Sequence, residues 1–83
     1  MLDQFDSVGD SLRHARENAG LSIDDVVNVV KIRASVLIAM EKDDFSLCGG
    51  ATYARGHLRQ VAKVVGLDPQ PLIEQVNWEE FAE

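Results

Sequence analysis

Eighty-three residues, 46% hydrophobic but only 6% aromatic, make one small domain with a modest aliphatic core and leave no room for two. Fourteen acidic against eight basic residues give a formal charge of −6, the wrong sign for a chain that lives on phosphate backbones. The single cysteine, Cys48, cannot staple the chain and has no zinc-type Cys/His spacing around it. No run approaches the roughly 20 apolar residues of a membrane span and no basic-then-apolar signal opens the chain, so a soluble, cytoplasmic, metal-free setting is expected.

Met1 to Ser7 is expected as a frayed lead-in. A first helix is predicted from about Val8 to Asn18, with Val8, Leu12, Ala15 and Ala19 on one face and Gly20 at its C-terminal stop. Ser22 opens a second helix: its hydroxyl can accept from an N-terminal amide, Asp25 stands three residues on in the reciprocal position, and Asp24 suits the helix dipole. Ile23, Val26, Val27 and Val30 then form an apolar stripe that this helix cannot bury alone. After Lys31 and Ile32 a third helix runs from Arg33 to about Asp43, with Val36, Leu37 and Met40 on one face and Phe45 just beyond. Two short helices joined by a tight turn are the arrangement of a helix-turn-helix, which presents its second helix to a partner.

Ser46 to Gly50 reads as a loop whose paired glycines supply backbone freedom. A fourth helix follows from Ala51 or Thr52 to Val65, its core face made by Ala54, Leu58, Val61, Ala62 and Val65, with Gly66 at its end. Asp68 then caps a fifth helix with Pro69 at the first helical position, where the missing N–H costs nothing; Leu72, Ile73 and Val76 form its inner stripe. Asn77 ends or bends it before Trp78-Glu79-Glu80-Phe81. The fold class is therefore all-α, a five-helix bundle containing a helix-turn-helix. Its charge is segregated: residues 1–30 hold six acidic and two basic groups, residues 31–63 three acidic and six basic, and residues 64–83 five acidic and none basic.

Several of these stretches match a known family. Val8-Gly9-Asp10-Ser11-Leu12-Arg13-His14-Ala15-Arg16-Glu17, Gly20-Leu21-Ser22, Lys31-Ile32-Arg33, Met40 to Phe45, Tyr53-Ala54-Arg55-Gly56-His57-Leu58-Arg59 and Gly66-Leu67-Asp68-Pro69 together resemble the cytoplasmic N-terminal domain of the RodZ family. The Cys48-Gly49-Gly50 loop is similar to actinobacterial members. The resemblance covers residues 7–76 and implies a five-helix, phage-repressor-like domain on the cytoplasmic side of a single membrane span, bound to the actin-like filament protein MreB and linking it to cell-wall elongation. It places the domain at 1–76 and makes residues 77–83 the start of a juxtamembrane linker.

The candidate site follows from what the core cannot use. Tyr53, His57 and Gln60 lie one above another on a face of the fourth helix apart from its core face. Gly56 between them costs about 1 kcal/mol relative to Ala in a helix interior, so something is expected to approach the backbone there. The alternative is that Tyr53 folds back over the Gly49-Gly50 loop and Gly56 serves internal packing. Arg55, Arg59 and Lys63, spaced by four, form a basic strip toward an acidic protein surface or phosphates, or else a solvated face; Arg55 and Arg59 can also pair with Asp43 or Asp44 and pin the loop.

On the third helix only Arg33 and Ser35 offer hydrogen bonds to base edges, whereas Ala34, Ile38 and Ala39 offer at most contact with a thymine methyl. Ile38 is either buried, a lone exposed apolar residue or part of a protein contact. Cys48 is expected as a small packed or loop residue. Trp78 and Phe81 either cover the core or begin the linker, and Glu79, Glu80 and Glu83 argue against binding to anionic headgroups. No Gly-rich phosphate loop, metal cluster or nucleophile constellation is present, and neither His14 nor His57 has a nucleophile or carboxylate at a useful spacing.

The sequence thus points to a non-enzymatic adaptor without cofactor, metal or small-molecule substrate. It binds MreB or another morphogenetic or division protein through Tyr53, His57, Gln60, Arg55, Arg59 and Ile38. The rival reading is a nucleic-acid binder using Arg33, Ser35, Lys42 and Lys63.

Overall fold

Five helices carry the structure: α1 (Val8–Asn18), α2 (Ile23–Val30), α3 (Ala34–Glu41), α4 (Ala51–Val64) and α5 (Pro69–Gln75). A computed structural model describes residues 7–81, so of the expected lead-in all but Ser7 lies outside the described residues. Ser7 itself is no loose end: its hydroxyl accepts from the Asp10 amide and caps α1.

The ends of the helices follow from local chemistry. Ser22 and Asp25 form a reciprocal capping box at α2, each side chain accepting from the other's backbone N–H at 3.0 and 2.8 Å. Ser22, through its backbone N–H first and its hydroxyl second, holds the Asp25 carboxyl below its ordinary range. Gly20 and Gly66, both left-handed, close α1 and α4: the Gly20 and Leu21 amides donate to the Glu17 and Arg16 carbonyls, and the Gly66 and Leu67 amides to those of Lys63 and Ala62. Asp68 caps α5 through the Gln70 amide, with Pro69 first in the helix.

Two other left-handed residues are not glycines. Lys31 (φ 68°) ends α2 and makes the turn into α3, and Asp43 (φ 66°) ends α3. Aspartate tolerates this conformation better than most side chains, and here its carboxylate is also used at long range, accepting from the Gly9 amide at 2.8 Å.

Helix α4 is central, packing on α2 and α5, while α1 lies on α3. The expected α4 core face is buried, as are Val8, Leu12, Val26, Leu37, Met40 and Leu72. Ala19 departs from the expected α1 face: it is the C-cap and exposed, because the helix has ended there. Gly9 is where α1 meets α3. A β-carbon at Gly9 would stand 2.6 Å from the Glu41 carbonyl oxygen, so only glycine lets the two backbones approach this closely.

Beside this contact Arg16 and Glu41 form a two-pronged pair, Nε to Oε2 at 2.7 Å and Nη2 to Oε1 at 3.0 Å, with Nη1 donating to the Leu21 carbonyl at 3.0 Å. Both side chains are largely buried. The Glu41 bonds outweigh burial and hold the guanidinium more firmly protonated than in water.

The packed body does not stop at position 76. Trp78–Phe81 forms a 3-10 turn in which the rings of Trp78 and Phe81 both meet buried Phe45 edge-on at 5.6 Å. Trp78 also donates from its indole N–H to the Ile73 carbonyl at 2.9 Å. The segment expected to start a linker is therefore folded onto the core through Phe81, because its aromatics complete the cover over Phe45.

Candidate protein-interaction surface

Helix α4 has two flanks beside its core face, and the candidate residues divide between them. At about 100° per residue, Tyr53, His57 and Gln60 fall on one flank, and Arg55 and Arg59 on the other. Arg55 is turned inward over the Trp78 ring, 5.4 Å from its centroid, and so belongs to the cover of the core. Arg59 and Lys63 remain exposed. The anticipated pairing of Arg55 or Arg59 with Asp43 or Asp44 is not what forms: Asp43 is taken by the Gly9 amide and Asp44 by the backbone and hydroxyl of Ser46. Both carboxylates are drawn to nearer N–H and O–H donors, and those from Ser46 hold the Asp44 carboxyl below its usual range.

The opposite flank is open. Tyr53 is 66% exposed, although the core face of its helix is full. Its ring lies beside the Gly49-Gly50 loop, 3.9 Å from where a Gly49 β-carbon would stand, without being enclosed by it. One turn on, His57 is half-buried and not exposed as its position beside Tyr53 implied, because it faces the α2–α3 turn. There it lines a shallow depression of about 370 Å³ together with Lys31, Ile32, Arg33, Ser35, Val36 and Leu47. Gln60 is exposed beyond it. A β-carbon on Gly56 would meet nothing within 4 Å, so no packing inside the described chain requires that glycine.

On α3, Arg33 is the N-cap without a side-chain capping bond, Ser35 is in the first turn, and both border the depression. Ile38, one turn further, is 42% exposed, and Lys42 is exposed at the far end of the helix. Tertiary structure thus gathers Arg33, Ser35 and His57, which the sequence had assigned to rival functions. It also adds Leu47, which the sequence reading passed over. Leu47 sits in the Ser46–Cys48 3-10 turn and is 55% exposed; an apolar residue beside the Gly-Gly pair was the signal available. Its neighbour Cys48 is buried, and burial pushes its thiol up, ahead of the nearby Asp44 charge.

This architecture has known counterparts. A family model described as a helix-turn-helix domain matches residues 11–72, which spans most of α1 through the middle of α5. The cytoskeleton protein RodZ of Streptococcus pneumoniae is 38% identical over 68 residues, covering 82% of this chain and 25% of that protein.

The chain belongs to the RodZ-type helix-turn-helix family.

Another relative of this RodZ-type domain is YmfM of Bacillus subtilis, named as a membrane protein, 34% identical over 55 residues, or 66% of this chain and 19% of that one. The chain therefore spans about a quarter and a fifth of the lengths of these two relatives. Among solved structures, YmfM from Staphylococcus aureus, described as a candidate DNA-binding membrane protein, superposes with a TM-score of 0.75 at 25% identity, over 93% of this chain and 92% of that one. No helix among the described residues of the RodZ-type domain is long and apolar enough to cross a membrane.

Proposed function

We propose that this domain is the protein-binding head of a membrane-anchored cell-shape protein, engaging an actin-like filament protein of the MreB kind, or another morphogenetic protein, at the cytoplasmic face of the plasma membrane. The names of its relatives, a cytoskeleton protein and membrane proteins, support the setting. The observation that carries the reading is Tyr53: an aromatic two-thirds exposed on a helix whose core face is already filled, one turn from His57, which lines a depression with both aliphatic and cationic side chains. Large aromatics of this kind are the usual anchors of protein interfaces. Gln60 and Ile38 extend the surface on α4 and α3, and Arg59 contributes a charge from the outer side of α4. Arg55 is left out, being committed to Trp78.

The test is co-sedimentation of the purified chain with actin-like filaments. Tyr53→Ala should weaken binding by about 2 kcal/mol, roughly thirtyfold, while the melting curve stays near that of the parent. Leu58→Ala should instead cost roughly 2–5 kcal/mol of stability through the cavity it leaves. Filament binding unchanged in Tyr53→Ala would sink this reading.

A second reading, nucleic-acid binding, is favoured by the described neighbour from Staphylococcus aureus and by Arg33 and Ser35 at the start of α3, where a repressor-type helix reads bases. Lys42 and Lys63 would then be phosphate contacts. Exposed Ile38 on the outer face of α3 and the formal charge of −6 speak against it. Duplex binding whose log affinity falls steeply with log salt would put this reading first.

A further inference from the structure

The depression at the α2–α3 turn combines two chemistries that belong together in few ligands. Its lining is part aliphatic, from half-buried Ile32 and Val36 and exposed Leu47, and part cationic and hydrogen-bonding, from Lys31, Arg33, Ser35 and His57. Lys31 and Arg33 are both exposed. The ion pairs among the described residues are Arg13 with Asp10 and Glu17, and Arg16 with Glu41, so neither Lys31 nor Arg33 meets a carboxylate of the described residues within salt-bridge distance.

Helix α3 begins at the same edge. Its first amides to find a carbonyl are those of Val36 and Leu37, both on Arg33, and no side chain caps the turn, so the N–H groups of Ala34 and Ser35 add to the positive potential there. This is also the basic third of an acidic chain, with six basic and three acidic groups in residues 31–63 and net negative charge on either side. A carboxylate approaching the domain is attracted to this region and repelled by the rest.

We propose that the depression is the docking site for an acidic, amphipathic segment of a protein partner. That segment seats an aliphatic side chain on Ile32, Val36 and Leu47 and sets a Glu or Asp carboxylate against Lys31, Arg33 and the open amides of α3. The inference rests on the protein-binding reading above and gives that partner a chemistry. A phosphate backbone satisfies the cations alone and gains nothing from the aliphatic lining, whereas an apolar side chain one turn from a carboxylate satisfies both.

The probe is a short, end-blocked helical peptide with Leu and Glu one turn apart, titrated into the nitrogen-15-labelled chain at low salt. Shift changes should concentrate at residues 31–36, 47 and 57. Affinity should fall about tenfold when the peptide's Glu is replaced by Gln, and about tenfold in Arg33→Gln or Leu47→Ser, with Arg13→Gln on α1 binding as the parent does. Circular dichroism checks that each variant is folded.

Shifts centred elsewhere, no binding, or equal affinity for the Gln peptide overturns the proposal. So does a short DNA duplex that moves the same resonances at lower concentration and with steep salt dependence, since that assigns the depression to nucleic acid. Filament co-sedimentation separates this inference from the function it rests on. If Tyr53→Ala loses the filament while Arg33→Gln and Leu47→Ser keep it, the docking chemistry is wrong and the function stands. If the parent ignores filaments but the peptide seats as described, the filament reading fails and the acidic-segment site stands.

Discussion

The two ends of α3 use polar side chains in opposite ways. At the C-terminal end the carboxylates are consumed internally: Glu41 grips Arg16 in a buried pair, and Asp43, held left-handed, gives its carboxylate to the first turn of α1, leaving exposed Lys42 outside the network. At the N-terminal end Arg33 and Ser35 border a depression beside Lys31 and Leu47, turned to solvent, with no side chain capping the helix. One end is where the fold closes on itself, and the other is where it has groups to offer. Around α3, then, the carboxylates at one end are spent on the fold while the cations flanking the other end are left in solvent.

The largest effect should come from breaking the closed end. Glu41→Ala leaves the Arg16 guanidinium largely buried without its carboxylate and should cost roughly 3–5 kcal/mol in urea unfolding. Adding Arg16→Ala to it should cost less than the two single changes together, since the second removes the stranded charge. A loss under about 1 kcal/mol for Glu41→Ala would make the pair a surface ornament and erase the contrast.

Gly9→Ala comes next. Its β-carbon would overlap the Glu41 carbonyl, so α1 must shift off α3, at a cost of roughly 1–3 kcal/mol, although alanine favours helix over glycine. Gly56→Ala is the matched comparison: its β-carbon meets open space, and the same propensity should make the change neutral or stabilising by up to about 1 kcal/mol. If both glycines respond alike in thermal melts, the close α1–α3 contact is not what Gly9 is for.

At the open end, Arg33→Gln should leave stability within about 0.5 kcal/mol of the parent, as for a surface side chain with no ion-pair partner among the described residues. A larger loss by melting would mean that the open end, too, is structural.

The smallest effect is a pH signature. Asp25 has its carboxyl lowered by the bonds from Ser22, so its stabilising contribution is complete above the unfolded-state value and is lost as pH falls through the lower folded one. The gap between the parent and Asp25→Ala should be widest near neutrality and close in strong acid, below both values. A gap that stays constant to the acid limit would show that the cap does not depend on the carboxylate's charge.

What could be read in the chain and what could not divide along the range of the interactions. The capping box at Ser22, the glycine stops at Gly20 and Gly66 and the Asp68-Pro69 start are decided within a few residues, so the sequence displays them directly. The core face of α4 was equally plain from its spacing. Glu41 was invisible as a core residue, because periodicity treats a carboxylate as outward-facing and its partner stands 25 positions away. Gly56 read as a helix glycine with a cost to explain and Gly9 carried no such signal, yet it is Gly9 that packs, against the Glu41 carbonyl, and Gly56 that does not.

For the candidate site, the exposed Tyr53 followed from helical faces, the half-exposed Ile38 was left open between burial and exposure, and the depression was not legible. It is assembled from the end of α2, the start of α3, a 3-10 turn and the middle of α4. The sequence by itself determined five helices, their ends, most of the core and the family, because capping, hydrophobic period and the Tyr-x-Arg-Gly-x-Leu-Arg and Gly-Leu-Asp-Pro stretches are local. Tertiary structure alone decided which charges are spent, that Trp78 and Phe81 pack against the core, and that Lys31, Arg33, Leu47 and His57 share one surface. Those outcomes depend on which helix sides meet, and burial of apolar area, which drives the meeting, carries no direction that a single helix can encode.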